Sequence, residues 1–206
     1  MRLDDYRWSA LARYHDSAME SAVVLLAIAR RPVHSHFDLH LQPVTGVRSH
    51  IRTMTEMQTF AINSRKSLEI ANLVIPGIVD RAKSTMVHSS GETFGTIGAK
   101  ETTPLCDSSF WWVVSRIVHS VRTVVLSEDE FLGATAMRIY SQRRDTIFGF
   151  ASDFDGASAR PSGYMVAVQR THYVRVESLV SIYGGLGLKI DEAIAALRPP
   201  LKIPAC

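Results

Sequence analysis

The sequence predicts an α+β protein that is mainly helical, with a bundle of three to four main helices and a small antiparallel β-meander near the C-terminus. Residues 3–31 contain neither glycine nor proline, and three long segments repeat apolar residues at helical intervals. The last third instead carries short apolar segments separated by turn residues. We expect residues 1–130 to form the bundle and residues 131–206 to form the meander with short helices, packed on the bundle as one domain.

Composition narrows the classes of protein that this chain can be. Of its 206 residues, 46% are hydrophobic and 21% are charged, and the net charge is +3, which permits an anionic partner without requiring one. Two cysteines, Cys106 and Cys206, cannot form a disulfide framework, so reduced thiols are expected. The longest dense apolar run, residues 22–29, is too short to span a bilayer. We therefore expect a soluble, cytoplasmic protein that does not bind membranes.

Two long helices are predicted in the first half of the chain. The first ends before Pro32, and its buried face consists of Trp8, Leu11, His15, Ala18, Ala22, Leu25 and Ala29. The second begins after Gly46 and ends before Pro76, with a buried face of Ile51, Met54, Met57, Ala61, Leu68 and Ala71. The short connection between them favours an antiparallel pair.

The middle of the chain is predicted as a short helix, a loop and a third main helix. The short helix is expected near residues 78–86, and the glycines and threonines that follow, up to Cys106, indicate a loop. Asp107 or Ser108 can cap the third helix, whose buried face consists of Phe110, Val114, Ile117, Val121 and Val124.

Three strands and two short helices are predicted in the last third. The strands are expected at residues 135–141, 146–153 and 164–170, and together they form the meander. The first short helix, carrying Val176, Leu179, Val180 and Tyr183, ends at Gly184-Gly185. The second covers residues 191–197.

A cluster of histidines between the first two helices is the strongest candidate for a metal site. His34, His36, Asp38 and His40 lie within seven residues, and imidazole and carboxylate groups are both ligands of divalent metals. The segment is similar to the His-x-His-x-Asp-His pattern of metallo-β-lactamase-like hydrolases, although Leu39 occupies the position of the last histidine. The alternative is a polar loop that meets solvent. A divalent metal is therefore a hypothesis, and the cofactor is unknown.

A second candidate site is expected on the third helix, where Arg116, His119 and Arg122 follow one another at intervals of three residues. Arg116 and His119 are the candidate catalytic pair, and Arg122 is a candidate phosphate ligand. The pair is similar in residue type to the arginine and histidine of metal-independent helical ribonucleases, but its spacing is shorter. The alternative is a solvated basic face.

Two functions remain open from sequence. The leading hypothesis is a helical interaction or regulatory protein that binds a protein partner or a second copy of itself, because the amphipathic helices are clear and no catalytic motif is complete. The alternative is a phosphoester hydrolase or ribonuclease-like enzyme, with nucleic acid as a partner and with or without a metal. Whether the protein is an enzyme is not decided by the sequence.

Overall fold

The computed structural model describes residues 5–29, 36–94, 100–120, 122–127, 146–151, 157–159, 165–167 and 169–197. Its five helices in these ranges are α1 (Asp5–Ala29), α2 (His36–Ala71), α3 (Ile78–Ser84), α4 (Phe110–Val118) and α5 (Val176–Leu197). Its seven strands are β1 (Met86–Phe94), β2 (Lys100–Ser109), β3 (Arg122–Ser127), β4 (Thr146–Ala151), β5 (Ala157–Ala159), β6 (Met165–Ala167) and β7 (Gln169–Arg175). The predicted α+β, mainly helical class is confirmed.

Helices α1 and α2 form the antiparallel pair that the sequence predicts. Ser17 of α1 bonds Asn63 of α2, whereas the earlier His15 and the later Ser67 both contact the Tyr183 hydroxyl. The two helices therefore run in opposite directions. The predicted buried face of α1 is confirmed from Leu11 to Ala29. On α2 the prediction is wrong at Ile51, whose side chain is 55% exposed. Helix α2 also begins earlier than expected and includes both Pro43 and Gly46.

Five strands form one antiparallel sheet in the order β2-β1-β7-β4-β3, and β5 pairs separately with β6. The sheet therefore takes strands from both sides of residue 130, the expected boundary between bundle and meander. Strand β4 lies in the predicted region 146–153, whereas the predicted region 164–170 contains β6 and only the first two residues of β7. The expected strand at 135–141 lies outside the described residues.

Three predicted elements differ from the structure. After the short helix α3, the sequence predicts a loop, but the structure contains the antiparallel strands β1 and β2. The threonines and serines of this region pair across the two strands. The third main helix, α4, is capped by Ser109 and ends at Val118, so Val124 lies on β3. The two expected short C-terminal helices form one helix, α5, that continues through the glycines.

The core lies where α1, α2, α4 and α5 meet the sheet. Helix α5 contacts α1 on one side and strands β1, β4 and β7 on the other, so its Tyr183 is completely buried. Among the described parts of the chain, no helix combines the length and the apolar composition that crossing a bilayer requires.

Candidate functional site

The predicted metal ligands fall at the start of α2. His36, Asp38 and His40 belong to that helix, but their side chains, like the whole of His34, lie outside the described residues. Within the described part of the chain, no group of three or more histidine, cysteine, aspartate or glutamate side chains could hold a metal ion. The metal site at residues 34–40 thus stays a prediction.

The structure places the members of the second predicted site on different elements. Arg116 lies in the last turn of α4, and its guanidinium carbon is 5.3 Å from the centre of the Trp112 ring. His119 follows the helix as its exposed C-terminal cap, and Arg122 begins β3. The expectation that one helical face carries all three is wrong, because the helix ends before His119. Their proposed chemistry stays a prediction.

A buried polar network that the sequence analysis did not single out joins α1, α2 and α5. The Nδ1 atom of His15 lies 2.9 Å from the hydroxyl of Tyr183, and its Nε2 atom lies 3.0 Å from Oδ1 of Asp191. Ser67 Oγ lies 2.7 Å from the same Tyr183 hydroxyl. Four side chains from three helices therefore form a continuous chain of hydrogen bonds, which we call the Tyr183 network.

The hydrogen-bond partners restrict where the protons of the Tyr183 network can lie. Because an ionised carboxylate only accepts, His15 Nε2–H donates to Asp191. In a neutral imidazole, Nδ1 then accepts a hydrogen bond from the Tyr183 hydroxyl, whereas in an imidazolium Nδ1–H would donate to that hydroxyl. The Ser67 hydroxyl also lies 2.9 Å from the Ser64 carbonyl oxygen, so its single proton has two acceptors within reach.

Burial controls the electrostatics of the Tyr183 network. Tyr183, Ser67 and His15 are between 0% and 1% exposed, whereas the Asp191 side chain is 58% exposed. Burial raises the pKa of Tyr183 well above its ordinary value of 10.0; the Ser67 hydrogen bond lowers it, and the charges of Asp191 and Asp16 raise it further. Tyr183 is consequently a neutral hydrogen-bonding group at physiological pH.

Aromatic rings and one glycine enclose the network. Phe60 meets the Tyr183 ring edge to face at a centroid distance of 5.4 Å, and Phe110 stacks on it at 6.2 Å. On the other side, a Cβ at Gly187 would lie 2.9 Å from His15 Cε1, closer than side-chain carbons approach one another. The small residue at 187 therefore allows α5 to pass directly beside the imidazole.

A second cluster packs a histidine among aromatic rings between α4 and the sheet. The buried His172 of β7 lies 4.9 Å from the Trp112 ring and 5.6 Å from Phe150 of β4. Phe150 also stacks near Phe148 on the same strand. The contact between Trp112 and His172 packs α4 against the sheet, so packing explains this cluster.

The Tyr183 network has the group order hydroxyl, imidazole, carboxylate, in which an imidazole oriented by a carboxylate can take a proton from a hydroxyl. Of the four side chains, however, only Asp191 contacts solvent appreciably, so in this structure Ser67 and Tyr183 cannot contact a substrate. The one signal in the sequence was His15 itself, an ionisable residue within the apolar face of α1. Its partners are too distant along the chain for spacing to reveal them.

These geometric relationships make the Tyr183 network the best-defined candidate site in the described residues. Comparisons of the chain with protein-family models, curated proteins and solved structures give no match.

Proposed function

We propose that the protein is a non-catalytic interaction or regulatory protein that binds a protein partner through the outer side of α2. The observation that carries this proposal is a pair of exposed isoleucines, Ile51 and Ile62, which are 55% and 44% exposed. Since an α-helix has about 3.6 residues per turn, positions separated by about three turns lie on one side. Thr55 and Gln58 are exposed on the same side. We call these four residues the α2 face.

The chemistry of the α2 face suits burial against another protein. It contains no charged residue, and the Thr55 hydroxyl is already bonded to the Ile51 carbonyl oxygen at 2.9 Å. Burying such a face removes two apolar side chains from water and does not desolvate any charged group of the face. Farther along the helix, Lys66 and Glu69 form an ion pair at 3.1 Å. An uncharged centre with charges beyond it is the usual pattern of a protein interface.

The first partner to test is a second copy of the chain. Two copies related by a two-fold axis would bring one α2 face against the other without opposing like charges. The small net charge of +3 also gives little long-range repulsion between copies.

Sedimentation velocity over a range of protein concentrations tests this proposal. We expect the wild-type protein to self-associate and the Ile51→Lys/Ile62→Lys variant to sediment as a monomer. The matched control is Val23→Lys, which places the same charge at an apolar position of α1 that is 63% exposed. A wild-type protein that is monomeric throughout, or equal loss of association in the control, would contradict self-association through the α2 face.

The hydrolase alternative is tested on the same preparations. Purified protein is incubated with single-stranded RNA and with a chromogenic phosphate ester, with and without a chelator. The interaction proposal predicts no turnover. Turnover that is lost in Arg116→Ala or His119→Ala would contradict the interaction proposal and indicate a metal-free phosphoesterase. Turnover that is lost when the chelator is added would instead favour a metal at residues 34–40.

A further inference from the structure

The middle of α5 contains more glycine than its packing requires. Gly184, Gly185 and Gly187 lie within four consecutive positions, and glycine weakens a helix because its backbone has more freedom to lose. The close approach of His15 explains the glycine at position 187, since a Cβ at this position would lie 2.9 Å from the imidazole ring. At Gly184 and Gly185 a Cβ would meet no atom within 4 Å. Close packing therefore does not explain these two glycines.

Few side chains of described residues hold the part of α5 that follows the glycines. Ile190 is completely buried, and Ile194 packs partly against the core. A polar contact from this part to another described helix is the bond between Asp191 and His15 at 3.0 Å. Lys189 and Glu192 pair with each other at 2.9 Å within the same helix. Leu188 on the outer side is 62% exposed. Among the described residues, two isoleucines and one carboxylate thus attach residues 188–197 to the rest of the molecule.

We propose that residues 188–197 form a lid over His15, hinged at the glycines and latched by Asp191. When the helix breaks at residues 184–187, Asp191 leaves Nε2 of His15 and this nitrogen becomes accessible to solvent. Tyr183 lies before the hinge, so its bond to Nδ1 keeps the imidazole in place. Opening therefore uncovers an oriented imidazole whose Nε2–H can bind a ligand that accepts a hydrogen bond. The lid is independent of the α2 face.

Chemical modification of His15 by diethyl pyrocarbonate, followed by mass spectrometry of each peptide, tests the lid. In the wild-type protein we expect His15 to react slowly, with the exposed His119 as the internal reference. Asp191→Ala should raise the His15 rate about tenfold, the factor expected for loss of one charge-assisted hydrogen bond. Glu192→Ala, which removes a neighbouring exposed charge, should leave it unchanged. An equal rise in both variants would overturn the latch.

Loss of the Asp191 side chain could unmask Nε2 without any motion of the helix, so a second variant separates the two effects. Alanines at 184 and 185 strengthen the helix and meet no neighbouring atoms. In the Asp191→Ala background, Gly184→Ala/Gly185→Ala should return the His15 rate to near the wild-type value. It should also slow amide hydrogen exchange at residues 188–197, while exchange at 176–183 stays the same. An unchanged His15 rate, or unchanged exchange at 188–197, would overturn the hinge.

Discussion

His15 and Tyr183 are separated by 168 positions in the sequence, yet their side chains lie 2.9 Å apart in the core. This bond links α1 to α5. Ser67 extends the link to α2 through the same tyrosine oxygen. Tyr183 is therefore the point at which three helices are fixed relative to one another, and most of the following predictions depend on it.

Removal of the Tyr183 hydroxyl should destabilise the fold. Tyr183→Phe keeps the ring contacts with Phe60 and Phe110 but leaves His15 Nδ1 and the Ser67 hydroxyl without that partner. We expect a loss of about 1–3 kcal/mol in the free energy of unfolding, measured by urea titration. The control is Tyr6→Phe, at a side chain that is 80% exposed, where the change should stay within about 0.5 kcal/mol. Equal urea midpoints for the two variants would contradict the network.

Alkaline pH should lower the free energy of unfolding of the wild-type protein more than it lowers that of the Tyr183→Phe variant. Because folding raises the pKa of Tyr183 above 10.0, the unfolded chain releases this proton first as the pH rises. The stabilising contribution of the raised pKa is therefore complete below pH 10.0 and decreases progressively above it. Urea unfolding at about one pH unit below and one above that value measures the difference. A wild-type stability that falls no more steeply than that of the variant would show that Tyr183 is not protected by burial.

Replacing two nearby glycines of α5 by alanine should have opposite effects on the stability of the protein. At Gly187 the new Cβ would lie 2.9 Å from His15 Cε1, so either the ring or the helix must move, and we expect a loss of about 1–3 kcal/mol. At Gly185 the Cβ meets nothing within 4 Å, and we expect a gain of about 0.4–1 kcal/mol from the better helix former. Thermal unfolding of the two variants measures whether each substitution lowers or raises stability. A stabilising Gly187→Ala would contradict the close approach of His15 to α5.

Arg116 should contribute to stability and His119 should not. The Arg116 guanidinium stacks over Trp112 at 5.3 Å, so Arg116→Ala should lose about 0.5–2 kcal/mol. His119 is exposed at the end of α4, and His119→Ala should change the free energy of unfolding by less than about 0.5 kcal/mol. Chemical denaturation measures both effects. If Arg116→Ala is neutral, the stacking on Trp112 does not stabilise α4.

The sequence predicts local structure well where one face of a helix is buried. The interval of apolar residues from Leu11 to Ala29 identifies both α1 and its buried side, and the same pattern identifies the first half of α5 from Val176 to Tyr183. The fold class follows from these helices and from the strand-forming residues near Thr146.

Non-local contacts explain where the prediction is wrong. Gly184 and Gly185 favour a helix end, but burial of Ile190 and the Asp191–His15 bond keep α5 continuous. The residues of the β1–β2 hairpin have a loop-like composition and become strands because they pair with each other and with β7. Likewise, His15 looks like one more residue of a buried helical face until Tyr183 and Asp191 come from the other end of the chain.

The most direct test of the Tyr183 network is a double-mutant cycle between Ser67 and Tyr183, whose side chains are both completely buried. The free energy of unfolding is measured by urea titration for the wild type, Ser67→Ala, Tyr183→Phe and the double variant. Because the two oxygens lie 2.7 Å apart, the two losses should not add, and the coupling should be about 0.5–3 kcal/mol. Losses that add to within about 0.3 kcal/mol would contradict the network as the connection between α2 and α5.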